Sequence, residues 1–162
     1  NITKYSIIQI FDTYHQLDAM DCGPTCLRMV AKYYRLDLSA QEIREAAEKC
    51  KDGVNMLGIA QAAEKVGFKT LGVKVNLEKQ KKNTATFIVH WGQNHFVVIN
   101  KISKSHVFVA DPAKGLLKYT FQEFDSQWAT TVIDDERTGV ALLLEPTGLF
   151  MTTITLSKKT RA

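Results

Sequence analysis

Three observations predict an α+β fold with a helical N-terminal half and an antiparallel β-sheet in the C-terminal half. Apolar residues recur at three- and four-residue steps between Cys22 and Val66, short β-type runs begin at Phe68, and Gly67 stands between the two regions as a helix stop. The chain has 162 residues, 45% apolar and 23% charged, which is the size and balance of one globular domain with a sizeable core rather than a disordered segment.

The first helix is predicted to start at Cys22, with Cys22, Cys26, Met29, Val30 and Tyr33 on one buried stripe and Arg28 and Lys32 outside it. Pro24 suits the first turn of that helix, where an N–H is not needed. Ser39-Ala40-Gln41-Glu42 is a capping box opening a second helix that turns Ile43, Ala46 and Ala47 inward. A third runs from Asn55 to Val66. Strands are expected at Phe68 to Val75, Thr86 to Trp91, Phe96 to Ile102, His106 to Ala110 and Val140 to Leu144, with a turn at Lys114-Gly115 and a short helix from Phe121 to Trp128. No internal repeat or low-complexity tract interrupts this order.

Composition narrows the function classes. The net charge of +4 is mild, and the basic clusters at Lys79-Gln80-Lys81-Lys82 and Lys158-Lys159-Thr160-Arg161 are too sparse for a nucleic-acid stripe, so no nucleic-acid partner is expected. Three cysteines, Cys22, Cys26 and Cys50, form no disulfide frame and suit a reducing compartment, with the cytosol as the default. There is no secretory signal pattern, and no apolar run approaches the roughly 20 residues that cross a bilayer. A start at Asn1 and a basic tail after Phe150 suggest a fragment of a longer protein, with residues 1–150 as the domain and 151–162 as a tail or linker.

The chemistry is concentrated in Gln16-Leu17-Asp18-Ala19-Met20-Asp21-Cys22-Gly23. A thiol at a helix N-terminus meets exposed N–H groups and the positive end of the helix dipole, both of which favour thiolate. A glutamine six residues earlier can supply an oxyanion donor beside it. The runs flanking Ser103-Lys104-Ser105 alternate like a hairpin, and a turn centred on Ser103 or Ser103-Lys104 sets His95 opposite Asp111 or Pro112. On the first of these registers His95, Val97 and Ile99 share a face with Asp111, Val109 and Val107, whereas a one-residue slip would separate the pair. The roles follow from the residue types. His95 takes the Cys22 proton and later protonates the leaving amine, Asp111 orients the imidazole, and Gln16 with the Cys22 N–H stabilises the oxyanion, each donor worth about 2.7–4 kcal/mol.

Blander readings apply to the other candidates. Cys26 is a small core hydrophobe and Cys50 marks a helix end; His15 and His90 pack beside Tyr14 and Trp91, and His106 faces solvent at a strand start. A zinc site from Cys22, Cys26, His95 and Asp111 lacks the paired close-spaced ligands of structural zinc centres, so no metal is assigned.

Taken together, Gln16, Asp21-Cys22-Gly23, Tyr33-Tyr34, Gly53-Val54, Ala63-Glu64, Gly67-Phe68, His90-Trp91, His95-Phe96-Val97-Val98 and Asp111-Pro112-Ala113-Lys114-Gly115 stand in an order that resembles one family. It is the N-terminal peptidase domain of peptidase-containing ABC transporters, the bacteriocin-processing double-glycine leader peptidases. The resemblance spans about Tyr14 to Phe150 and implies a papain-like cysteine peptidase fold, with Cys22 as nucleophile, His95 as base and acid, Asp111 as orienting group and Gln16 as oxyanion donor. It further implies cleavage after Gly-Gly at the end of a leader peptide, coupled to export of the cargo at the cytoplasmic face of the bacterial inner membrane. The implied partners are the leader, whose upstream part would bind as an amphipathic helix, and the transmembrane and nucleotide-binding domains of a homodimeric transporter. ATP would bind only at that separate nucleotide-binding domain, and the peptidase domain would need no cofactor. Departures are local: Pro24-Thr25 replaces small residues, Arg35 stands where glycine is common, Thr86 stands where proline is frequent, and Ala129 to Thr138 is longer than the usual turn. A catalytically idle leader-docking module is the alternative, and the presence of Cys22 weighs against it.

Overall fold

A computed structural model of the chain describes residues 11, 13–15, 22–48, 55–77, 86–92, 95–128, 131–133 and 135–148. Its elements are α1 (Cys22–Tyr33), α2 (Ala40–Glu48), α3 (Met56–Lys65), β1 (Phe68–Val75), β2 (Thr86–Trp91), β3 (His95–Ile102), β4 (His106–Asp111), β5 (Gly115–Thr120), α4 (Phe121–Trp128), β6 (Thr131–Ile133) and β7 (Glu136–Pro146). The helix-then-strand order read from the sequence holds, and the expected bounds of β1, β2 and α4 are reproduced. Two strands escaped the sequence reading: β5, whose Leu-Leu-Lys-Tyr run looked like the exit from a turn, and the short β6.

Local chemistry accounts for the helix ends. Ser39 and Glu42 close the expected capping box: the Ser39 Oγ accepts from the Glu42 N–H at 3.1 Å, and the Glu42 carboxylate accepts from the Ser39 N–H at 2.7 Å. Asn55 caps α3 by accepting the Gly58 N–H at 2.8 Å, and Gly67, at φ +104°, takes the chain out of that helix into β1. The α1 stripe is wider than its periodicity implied, because Gly23, Leu27 and Ala31 are buried along with Cys22, Cys26, Met29 and Val30. That helix is enclosed by α2 and α3 on one side and β3 on the other.

The end of α1 explains one departure from the family pattern. The Leu36 N–H bonds the Ala31 carbonyl at 2.9 Å and the Arg35 N–H bonds that of Lys32 at 2.8 Å, a Schellman termination that requires a left-handed residue between them. Arg35 supplies it at φ +72°, a conformation costing a non-glycine residue about 1–2 kcal/mol. Glycine loses more backbone freedom on folding, which offsets part of that gain. Arg35→Gly is therefore expected to stabilise the domain by roughly 0.5–1 kcal/mol, read as a rise of a few degrees in thermal midpoint.

Six antiparallel strands form one sheet in the order β1-β7-β2-β3-β4-β5, with β6 paired to the start of β7. Alternation along the strands divides the core in two. Phe68, Ile88, Phe96, Val98, Ala110, Leu142 and Leu144 face α1, α2 and α3. Val89, Val97, Ile99, Val107, Val109 and Ala141 face α4 through Phe124 and Trp128.

Trp128 lies flat on β7 at Gly139 and donates its indole N–H to the Val140 carbonyl at 3.0 Å. A Cβ on Gly139 would enter the indole ring itself. Gly139→Ala is expected to cost at least about 1–3 kcal/mol by forcing Trp128 out of its seat, lowering the thermal midpoint by several degrees and raising near-ultraviolet heterogeneity.

Candidate active site

The open end of the β3–β4 hairpin meets the first turn of α1, and three of the four expected site residues converge there. The hairpin register differs from the expectation. Recorded pairs are Val98 with Ala110 and Ile99 with Val109, then, past a bulge at Asn100, Lys101 with Phe108 and Ile102 with Val107. The loop is tied by the Ser103 N–H to the His106 carbonyl at 2.9 Å and by the Ser103 Oγ, which accepts the His106 N–H at 3.0 Å. It centres further along than Ser103, and the bulge takes one residue back, so the net displacement from the first expected register is even and the faces are preserved. Asp111 is thus the diagonal, same-face neighbour of His95 rather than its direct opposite.

The two side chains meet. His95 Nε2 and Asp111 Oδ1 are 2.7 Å apart, and because an ionised carboxylate only accepts, Nε2 carries the proton. The same oxygen accepts the Ala113 N–H at 2.8 Å, an Asx turn built by Asp111-Pro112-Ala113 that fixes the carboxylate where β4 ends. Sequence reasoning had both features of Asp111, the turn and the orienting role, as separate readings; one side chain performs both. Burial opposes the Asp111 charge, yet the hydrogen bonds from His95 and Ala113 and the nearby Lys114 outweigh it and hold the carboxyl below its ordinary range.

His95 is hydrogen-bonded to Cys22 on its other side, so Nδ1 is the nitrogen left for the thiol. Its pKa is pushed up to about 9, first by the Asp111 hydrogen bond and then by that of Cys22, against the opposing effect of burial. For Cys22 burial is the largest influence and favours the neutral thiol. The hydrogen bond of His95 and the backbone N–H groups of Phe96 and Gly23 overcome it and hold the thiol below its ordinary value. The first turn of α1 carries no acidic side chain to offset the helix dipole. Both shifts favour a thiolate–imidazolium pair, the arrangement of an activated sulfur nucleophile.

Gly23 packs directly under Ile59: a Cβ there would come within 2.9 Å of the Ile59 side-chain tip, which would have to shift, while the Phe96 ring at 3.8 Å lies at ordinary contact distance. Gln16, Asp21, Cys50, Gly53 and Val54, the lysine cluster at 79–82, the segment 129–130 and the tail at 151–162 lie outside the described residues, as do the side chains of Ala47 and of 131–133. His15 is exposed, and His106 bonds the Ser105 hydroxyl at 2.7 Å. His90 packs against Phe96 rather than Trp91, with ring centres 5.0 Å apart and planes tilted by 55°, while Trp91 joins Tyr119 and Phe124 on the opposite face. Among the described residues no three His, Cys, Asp or Glu side chains converge as a metal site.

A family model for the peptidase C39 family matches residues 11–138, which contain this site. The chain belongs to the peptidase C39 family. It is similar to the lactococcin-G-processing and transport ATP-binding protein LagD of Lactococcus lactis, at 33% identity over 82% of this chain and 18% of LagD. It is also similar to the transport/processing ATP-binding protein ComA of Streptococcus pneumoniae, at 31% identity over 81% of this chain and 18% of ComA. This C39 domain thus spans about a fifth of the length of the curated relatives it matches. Among solved structures it resembles a double glycine motif protease from an AMS/PCAT transporter in complex with the leader peptide, with a TM-score of 0.69 and 31% identity over 86% of this chain and 94% of the other. The peptidase domain of Streptococcus ComA, a bi-functional ABC transporter, gives a TM-score of 0.72 and 29% identity over 85% of this chain and all of that one. The fold is the expected papain-like α+β arrangement of a cysteine peptidase, with a helix-borne cysteine set against the end of an antiparallel sheet.

Proposed function

We propose that this domain removes double-glycine leaders from peptides bound for export, with Cys22 as nucleophile, His95 as general base and acid, Asp111 as the orienting group and Gln16 as an oxyanion donor. The observation that carries the reading is the continuous hydrogen-bonded chain from Cys22 through His95 to Asp111. Relatives named as bacteriocin-processing transporters and a leader-bound double-glycine protease of similar fold support the substrate class.

In the reaction His95 holds the Cys22 proton, and the thiolate sulfur attacks the carbonyl carbon of the second glycine, moving the π electrons onto oxygen. The Cys22 N–H and the Gln16 amide donate to that oxyanion. Collapse expels the cargo amine, which takes its proton from His95, and leaves the leader as a thioester on Cys22. Water gives one proton to His95 and attacks the thioester; collapse frees the leader acid, whose remaining proton passes to solvent, and leaves the Cys22 thiolate beside protonated His95. Every other proton transfer runs through His95, so these steps need no metal or other cofactor.

The domain occupies residues 1–150, with 151–162 leading toward transmembrane and nucleotide-binding domains of a homodimeric transporter, where ATP would bind. Cleavage then takes place on the cytoplasmic side of the membrane. Among the described residues no helix is long and apolar enough to cross a bilayer. A cleft narrow enough to admit only backbone without Cβ atoms would account for a Gly-Gly requirement. A synthetic leader-cargo peptide is accordingly expected to be cut after its second glycine. Replacing that glycine with valine should lower kcat/KM by roughly 100-fold or more with leader binding retained, and equal cleavage of both peptides would overturn the substrate reading.

A further inference from the structure

Phe96, next to His95 on β3, sits where the sheet runs out. Recorded pairing between β3 and β4 stops at Val98 and Ala110, and continuing that register would bring Pro112, which has no N–H, opposite Phe96. A buried carbonyl left there without a donor would be costly. Cys26 fills the gap: its Sγ lies 3.3 Å from the Phe96 carbonyl oxygen, fully buried and 70 positions away in sequence. One turn earlier on the same helix face, Cys22 receives the Phe96 N–H. The two cysteines of α1 therefore take both main-chain groups of one residue, as a neighbouring strand would.

We propose that Cys26 is a positioning residue for the Cys22–His95 pair, its thiol fastening the start of β3 to the first turn of α1 through the Phe96 carbonyl. This rests on Cys22 being the nucleophile. Burial, then the proximity of Cys22 and Asp111, keeps Cys26 well above the ordinary thiol range, so it stays a donor while Cys22 ionises. Among the described residues, the titratable groups acting on the two thiols are His95 on β3, Asp111 on β4 and the thiols themselves, with none from α2 or α3. Releasing the Phe96 carbonyl lets β3 drift from α1, which weakens both the Phe96 N–H and the His95 contact to the thiolate.

The test compares the unsubstituted domain with Cys26→Ala, Cys26→Val and Cys26→Ser, following the pH dependence of iodoacetamide alkylation at Cys22, located by peptide mass so that Cys50 is excluded. Thermal midpoint and kcat/KM on a double-glycine peptide are measured alongside. Cys26→Ala and Cys26→Val should raise the Cys22 alkylation midpoint by about half a pH unit or more, a roughly threefold loss of thiolate at pH values below the midpoint. Cys26→Ser, which keeps a donor, should restore the midpoint even if its stability falls. Unchanged midpoints in Cys26→Ala and Cys26→Val, with only a lower thermal midpoint, would make Cys26 a packing residue and overturn the proposal, as would a Cys26→Ser midpoint shifted like that of Cys26→Val. Failure of the underlying reading is separate: the unsubstituted domain would then show neither low-pH alkylation of Cys22 nor cleavage.

Discussion

His95→Ala is expected to reduce kcat for leader cleavage by on the order of 10²–10⁴-fold, while leader binding persists. The imidazole acts three times: it holds the Cys22 proton, protonates the leaving amine and activates water. Losing it also removes the hydrogen bond that counters burial at Cys22. The alkylation midpoint of Cys22 should therefore rise toward or beyond that of an ordinary thiol. A variant that retained its rate with an unchanged alkylation profile would show that some other group serves as base.

Asp111→Asn is expected to lower kcat/KM by roughly 10- to 100-fold and to move the alkaline limb of the pH profile down, because it replaces the carboxylate whose hydrogen bond, first, and charge, after it, raise His95. In the unsubstituted domain activity should form a bell. Its alkaline limb falls near pH 9 as His95 loses its proton, and its acid limb falls where Cys22 regains one; the two limbs describe the coupled pair. Stability carries matching signs. The raised His95 pKa stabilises the fold fully below its ordinary value of 6.5, and that contribution is lost as pH rises through about 9. The lowered Asp111 pKa stabilises above the ordinary value of 3.8 and is lost as pH falls through the folded value. The difference in thermal midpoint between the two proteins should hence be largest between about pH 4 and 6.5 and shrink above pH 9. A pH-independent difference would mean that the charged His95–Asp111 pair does not contribute to stability.

Much of this was legible in the chain. The helix ends were written in short-range chemistry, as in Ser39 with Glu42 and Asn55 with Gly58, where donor and acceptor lie three residues apart. The His95–Asp111 pair was legible because side-chain alternation survives any even displacement of register, although the loop and the bulge at Asn100 moved the partners. That bulge has no sequence signal of its own. β5 was missed because its edge position leaves Leu116 exposed and blurs the alternation that marks a half-buried strand. The need for Gly139 was likewise invisible, since only the fold brings Trp128 onto it. The same holds for Cys26. On a helical stripe it reads as a small hydrophobe, and only β3, arriving from 70 positions away, gives its thiol an acceptor.

The most direct test is to incubate the purified domain and its Cys22→Ala variant with a double-glycine leader-cargo peptide and locate any cut by mass. A single cut after the second glycine, made by the unsubstituted domain and lost in Cys22→Ala with leader binding intact, is the predicted result. Cleavage by Cys22→Ala at a comparable rate, or leader binding without cleavage by the unsubstituted domain, would contradict the assignment of Cys22 as the nucleophile of a leader peptidase.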